Sequence, residues 1–91
     1  MAKKRERLEV IHDILLAVRD SNNPIKPTRL LYSSNLSPQM FKEYTDELLI
    51  KGFLVQNDDR DGRKTFSTTD KGLMFLEKYK IIKEFVENFG L

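Results

Sequence analysis

His12 is the only imidazole in the chain, and there is no cysteine. The side chains that most often hold zinc or act as activated nucleophiles therefore have no set to join. His12 falls beside an apolar stripe and reads as a histidine at the rim of a core. The run Asn57-Asp58-Asp59-Arg60-Asp61-Gly62 copies the opening of a calcium loop. The bidentate glutamate such a loop needs at its twelfth position is replaced by Thr68, and the flanks read as strands rather than helices. No glycine-rich phosphate cradle is present, and no Ser, His and Asp set has a scaffold to hold it. These residues predict no metal, no cofactor and no enzymatic chemistry.

The residues that do form a pattern are suited to a polyanion. Residues 21–42 contain Lys26, Arg29 and Lys42 and no acid, although the chain has 14 acidic residues. Carboxylates beside phosphates repel, whereas each Lys or Arg contact releases condensed counterions. A chance gap in a polar surface is the plain alternative. Within the next segment Gln39, Met40, Lys42, Glu43 and Asp46 share one exposed helical side. Gln can bond adenine edges, Lys can reach guanine or phosphate, and Glu can accept from cytosine. Ser37, just ahead of them, can offer its hydroxyl to a phosphate beside the helix amides. The competing view is that all of these are solvated helix residues, and Glu43 and Asp46 weigh on that side. Further on, Arg60, Arg63 and Lys64 are suited to a phosphate backbone, but Asp58, Asp59 and Asp61 stand among them. Lys3, Lys4, Arg5 and Arg7 make either a phosphate-gripping arm or a solubilising terminus.

Five elements are expected to position these residues. Leu8, Ile11, Ile14, Leu15 and Val18 recur at helical spacing, which predicts a helix over 5–21. The Ser21-Asn22-Asn23-Pro24 run ends it. A short second helix follows Pro27, with Leu30 and Leu31 inward. In the third, Ser37 reads as the N-cap and Pro38 as the first helical residue. It carries Phe41, Tyr44, Thr45 and Leu48 on one side and stops at Gly52. The period then changes: 53–56 and 64–68 read as paired strands, with 57–62 as the hairpin loop and Asp61-Gly62 supplying the positive φ. Thr69 caps a last helix that runs nearly to the end. The expected fold class is mainly α with a β-hairpin wing.

Two helices joined by a tight turn, followed at once by a hairpin, resemble the winged helix-turn-helix. The local text strengthens the likeness. The segments SNLSPQMFKEYTDELLIKGFL and FSTTDKGLMFLEKYK are similar to the small archaeal winged-helix DNA-binding proteins. Leu48, Leu49, Lys51, Gly52, Phe53 and Leu54 match the junction of recognition helix and strand. Phe66, Thr69, Lys71, Gly72 and Leu76 match the junction of wing and final helix. The resemblance implies double-stranded DNA as partner, read by Gln39, Met40, Lys42 and Glu43, with Arg29, Ser37, Arg60, Arg63 and Lys64 on phosphates. One branch of that family is chromatin-associated and dimerises through a long C-terminal coiled coil; the final helix here is shorter.

Phe75, Tyr79, Ile82, Val86 and Phe89 follow heptad spacings, with Phe85 beside them. Beyond Tyr79 no later element exists to cover Ile81, Ile82, Phe85, Val86 and Phe89. Such a patch predicts pairing with the same helix of a second chain, the alternative being a fold back across the first helix. The expected organisation is a DNA-binding domain over 1–72, continuous with a dimerisation helix over 73–91. With 40% hydrophobic and 33% charged residues the chain reads as one soluble globular domain. No apolar run approaches the ~20 residues of a membrane span. The basic start leads into an amphipathic pattern rather than a signal core, and a cysteine-free domain this small is expected inside the cell. The expected setting is the cytoplasm of a prokaryotic-type cell, at the nucleoid. The leading expectation is a homodimeric, sequence-specific transcription regulator. The alternatives are a winged helix that docks onto another protein and a nonspecific architectural DNA binder.

Overall fold

The computed structural model describes residues 6–21 and 24–90. The elements run α1 (Arg7–Asp20), α2 (Pro27–Ser34), α3 (Pro38–Ile50), β1 (Leu54–Asp58), β2 (Lys64–Thr68) and α4 (Asp70–Asn88). The fold is mainly helical with one two-stranded antiparallel hairpin. No described helix is long and apolar enough to cross a membrane.

The core is built on α1, whose Val10, Ile11, Ile14, Leu15 and Val18 are all buried. Around them close Leu30 of α2, Phe41 and Leu48 of α3, Leu54 and Phe66 of the hairpin, and Leu76 of α4. Leu8 departs from the expected stripe. It is 54% exposed, and Val10 takes the inward position at the start of the helix. Helical rotation does not set it apart, because Leu8 lies only about 20° from Leu15; it sits in the first turn of α1, where it lines an open groove with Ile11, Leu48, Phe53 and Phe75.

Local chemistry sets each junction. Ser37 Oγ accepts from the Met40 amide at 3.2 Å and Pro38 begins α3, so the first turn is capped without needing a missing proline donor. The turn between α2 and α3 passes through Asn35 at φ 55°, a left-handed position that Asn tolerates better than most side chains. α3 ends in a Schellman arrangement: the Gly52 amide donates to Leu49 O, and the Phe53 amide to Leu48 O. Gly52 takes the φ of 81° that this requires.

That arrangement displaces β1 relative to the expected strand. Phe53 belongs to the helix stop, and pairing begins at Leu54↔Thr68 and continues through Asn57↔Thr65 to Asp58↔Lys64. Asn57 and Asp58 are therefore strand residues and not loop. Asn57 Nδ2 donates across the pair to Ser67 Oγ at 2.9 Å. Ile25 adds a third short edge, exchanging two backbone hydrogen bonds with Phe66. At the start of α4 Thr69 acts twice: its Oγ1 accepts from the Gly72 amide at 3.1 Å and donates to Gly52 O at 2.6 Å. The hydroxyl thus caps α4 and ties it to the end of α3.

Candidate nucleic-acid interface

Three buried residues of α3, Phe41, Thr45 and Leu48, face the core. At about 100° per residue, Gln39, Glu43, Asp46 and Ile50 run down the opposite side, with Lys42 and Met40 on the two flanks. All six are exposed. Thr45 would be an orphan polar group at its depth, but its Oγ1 donates back to the Phe41 carbonyl at 2.9 Å, so the inner face stays satisfied.

The charges on this helix are largely answered from within the chain. Lys42 Nζ donates to Asp46 at 2.7 Å, an i,i+4 pair that raises the lysine pKa above its ordinary value. Glu47 accepts from Lys51 at 3.1 Å and receives Arg7 Nη2 on both carboxylate oxygens. The Arg7 guanidinium also stands 6.0 Å from the centre of the Tyr44 ring, within reach of a cation–π contact. Arg7 accordingly brackets the start of α1 to α3 instead of joining a terminal arm. Lys3, Lys4 and Arg5, grouped with it in sequence, lie outside the described residues.

Hydrogen bonding from Arg7, then from Lys51, holds the Glu47 carboxyl below its ordinary pKa. A depressed carboxylate stabilises the fold above its unfolded pKa, and that contribution fades as pH falls through the folded value. In an NMR titration Glu47 should therefore protonate below the ordinary glutamate range. Arg7→Ala should raise the Glu47 midpoint. A Glu47 midpoint that Arg7→Ala leaves unchanged would show that the bracket does not hold.

The hairpin tip resolves its mixed charge in a similar way. Asp59 Oδ1 accepts from the amides of Asp61 and Arg63, at 2.9 and 2.8 Å, and so builds the turn. Gly62 adopts φ 76° there. Asp58 accepts from Gln56 Nε2 at 3.3 Å. Arg60, Arg63 and Lys64 are exposed, and none has an acidic side-chain partner among the described residues. Arg29 is exposed on α2, lining a groove with Lys26, Pro24 and Ile25. Ser37 keeps its hydroxyl proton available, because the cap uses the oxygen only as acceptor.

On α4 the residues expected in one seam divide into two groups. Phe75 packs edge-on to Phe53, with ring centres 5.9 Å apart, and Tyr79 stacks on His12 at 4.5 Å. Both are half-buried within their own chain, and this contact realises for the first half of α4 the packing against α1. It also gives His12 the core-rim position expected of it. Past Tyr79 one side of the helix, with Lys80 and Lys83, still borders Leu16 and Arg19 of α1, while its large apolar residues are mostly uncovered among the described residues. Ile81, Ile82, Phe85 and Phe89 are 56, 60, 58 and 68% exposed, and Val86 is half-buried. The rings of Phe85 and Phe89 meet each other, tilted by 42° with centres 4.8 Å apart.

Two exposed residues were not anticipated as surface features. Ile50 is 85% exposed at the end of the outer row of α3, and Tyr32 is 80% exposed on α2. The position of Ile50, roughly two turns beyond Glu43 on the same side, is legible from helical spacing once the buried face is known.

A family model described as winged helix-turn-helix matches residues 4–87. Two uncharacterized proteins of Methanocaldococcus jannaschii are similar in sequence. One is 33% identical over 75 residues, covering 82% of this chain and 32% of that protein. The other is 34% identical over 70 residues, covering 71% and 70%. This chain thus spans about a third of the length of the first relative. Among solved structures, Sso10a-2, a DNA-binding protein from Sulfolobus solfataricus, superposes with a TM-score of 0.76 at 26% identity, over 93% of this chain and 85% of that one. MepR, a transcription regulator of the Staphylococcus aureus multidrug efflux pump MepA, shares the fold at a TM-score of 0.74 and 14% identity, over 88% of this chain and 59% of its own. SSV1 F-93 shares it at 0.65 and 24%, over 94% and 99%. The chain belongs to the winged helix-turn-helix family.

Proposed function

We propose that this protein binds double-stranded DNA as a homodimer and regulates transcription, with α3 entering the major groove. The observation that carries this reading is α3 itself. Its inner face is locked into the core, while its outer face presents Gln39, Lys42 and Glu43 with no other described element over them. These side chains supply the donors and acceptors that read base edges. The tip residues Arg60, Arg63 and Lys64, with Arg29, supply phosphate contacts, and Ser37 supports them with its hydroxyl. The likeness to Sso10a-2, itself a DNA-binding protein, points the same way. Pairing of two chains through the uncovered half of α4 sets two α3 helices about a two-fold axis, matched to a palindromic site. The setting that follows is the cytoplasm, at the nucleoid.

Duplex binding measured against salt tests this. The wild-type chain should shift a DNA duplex at low salt and release it as salt rises. Arg63→Ala should flatten the slope of log K against log salt by about 0.9, the loss of one phosphate contact. No duplex binding at low salt would end the proposal. It would favour a second reading that the charge of α3 supports: one lysine against three acids suits docking onto a basic protein surface.

A further inference from the structure

We propose that Glu43 is the residue that sets base selectivity, by accepting a hydrogen bond from the amino group of a cytosine in the major groove. The inference deepens the DNA-binding reading and rests on it.

The argument begins with the acids of α3. There are three, and two are neutralised inside the chain: Asp46 by Lys42, and Glu47 by Arg7 and Lys51. Glu43 differs. Its only hydrogen-bond partner among the described residues is the amide of Gln39, one turn back, at the long distance of 3.5 Å; Arg7 lines the same groove, but its guanidinium is bound to Glu47. Glu43 is the one carboxylate of α3 without a cationic partner among the described residues. It also stands about 200° round the helix from the buried Phe41, on the outermost line of the helix, and it is exposed.

An uncompensated carboxylate at the leading edge of a helix that enters DNA costs affinity on every sequence, because it approaches phosphates without a counter-charge. It regains that loss only where the groove offers a donor. Guanine presents two acceptors there, thymine an acceptor and a methyl group, adenine an amino donor flanked by its N7 acceptor, and cytosine an amino donor. An ionised carboxylate is acceptor-only. It is repelled by guanine and thymine, weakened at adenine by N7, and matched by cytosine. Gln39 at i−4 reinforces the choice, since its amide donates toward Glu43 and limits the directions the carboxylate can take. The paired Lys42 and Asp46 present no net charge to the groove, so they bear on affinity far less than Glu43 does.

The test is selection from a random duplex library by the full chain, with sequencing of the bound fraction, for wild type, Glu43→Ala and Asp46→Asn. Wild type should enrich cytosine at one position of each half-site, by about tenfold over the other bases. Glu43→Ala should lose that preference, keep the remaining preferences, and bind unselected duplex several-fold more tightly. Asp46→Asn frees Lys42, so it should tighten binding to all sequences and leave the cytosine preference intact. Both positions are exposed, so the variants keep the core. If Glu43→Ala binds with the wild-type preference at every position, or wild type enriches no cytosine, the proposal is overturned while DNA binding stands. If wild type holds no duplex at low salt, the binding reading falls and this proposal falls with it.

Discussion

Gly72→Ala should destabilise the domain by about 2 kcal/mol and lower its melting temperature by roughly 10 °C, although it places a better helix former inside a helix. The residue lies in the first turn of α4, fully buried. A Cβ built there would sit 2.5 Å from the carbonyl oxygen of Phe53 and 3.5 Å from Leu15 Cδ2. The first distance decides the outcome. Phe53 O is backbone, it accepts from the Thr69 amide at 3.2 Å, and the Phe53 amide is itself held by Leu48 O at 2.8 Å. A flexible side chain would swing aside, whereas this carbonyl retreats only by breaking the Schellman stop of α3 or the entry into α4. Alanine gains about 1 kcal/mol over glycine in helix propensity, and overpacking against a backbone neighbour this close costs the upper end of the usual range, about 3 kcal/mol. The clash exceeds the propensity gain, so the net sign is destabilising. Thermal unfolding followed by circular dichroism decides it, and an unchanged or higher midpoint would show that the junction is looser than described. Serine should behave as alanine does, because the obstruction is at Cβ.

Gly72 also illustrates what can be read from a linear chain. Its place in a Thr-x-Lys-Gly helix start was visible as a pattern, while the reason for glycine is a contact between residues 53 and 72 that only the folded chain displays. The same division holds elsewhere. The helix caps made by Ser37-Pro38, Gly52 and Thr69 act on neighbours within four residues, so the boundaries they set are legible to within a residue or two. The second strand, 64–68, was placed without error because alternation and the cap at Thr69 agree on it. Errors arose where local signals competed. Phe53 is β-prone but is taken by the helix stop, and Asn57 and Asp58 are turn formers but are held in the ladder through Thr65 and Lys64. Leu8 keeps the spacing of the stripe, and only the folded chain shows that its first-turn position lies at the open end of the core.

The charged residues of the interface show the limit most clearly. Four acids on α3 and the tip, Asp46, Glu47, Asp58 and Asp59, are answered within the fold, and three of them, Asp46, Asp58 and Asp59, weigh against a DNA-facing surface when read as types. Each has a hydrogen-bond donor in its own chain. The i,i+4 pair of Lys42 with Asp46 was accessible from spacing alone. The Arg7–Glu47 bracket, spanning 40 positions, was not, and neither was the inward turn of the Asp59 carboxylate. What composition cannot supply is which charges remain after such pairing, and it is the remainder that a partner meets.

Phe85→Glu combined with Phe89→Glu should convert the proposed dimer to a folded monomer and weaken binding to a palindromic duplex by about a hundredfold or more. The monomer should stay folded because the deepest α4 residue in the core is Leu76, and Phe75 and Tyr79 complete the packing against Phe53 and His12. Two exposed rings three turns further on contribute nothing to that core. Their removal instead abolishes an apolar stripe, Ile81, Ile82, Phe85 and Phe89, that water meets in a single chain. Four carboxylates brought together across a two-fold axis would repel as well as desolvate poorly. The affinity loss follows from linkage: when one half-site is bound, the second subunit searches at an effective concentration that multiplies affinity by ~10²–10⁴, and a monomer forfeits this factor without losing any DNA contact. Binding to a single half-site should accordingly change little. Sedimentation and duplex titration on the same samples separate the steps. A double variant that sediments as wild type would place the subunit contact elsewhere, and a monomer that binds the palindrome as tightly as wild type would make each chain an independent reader.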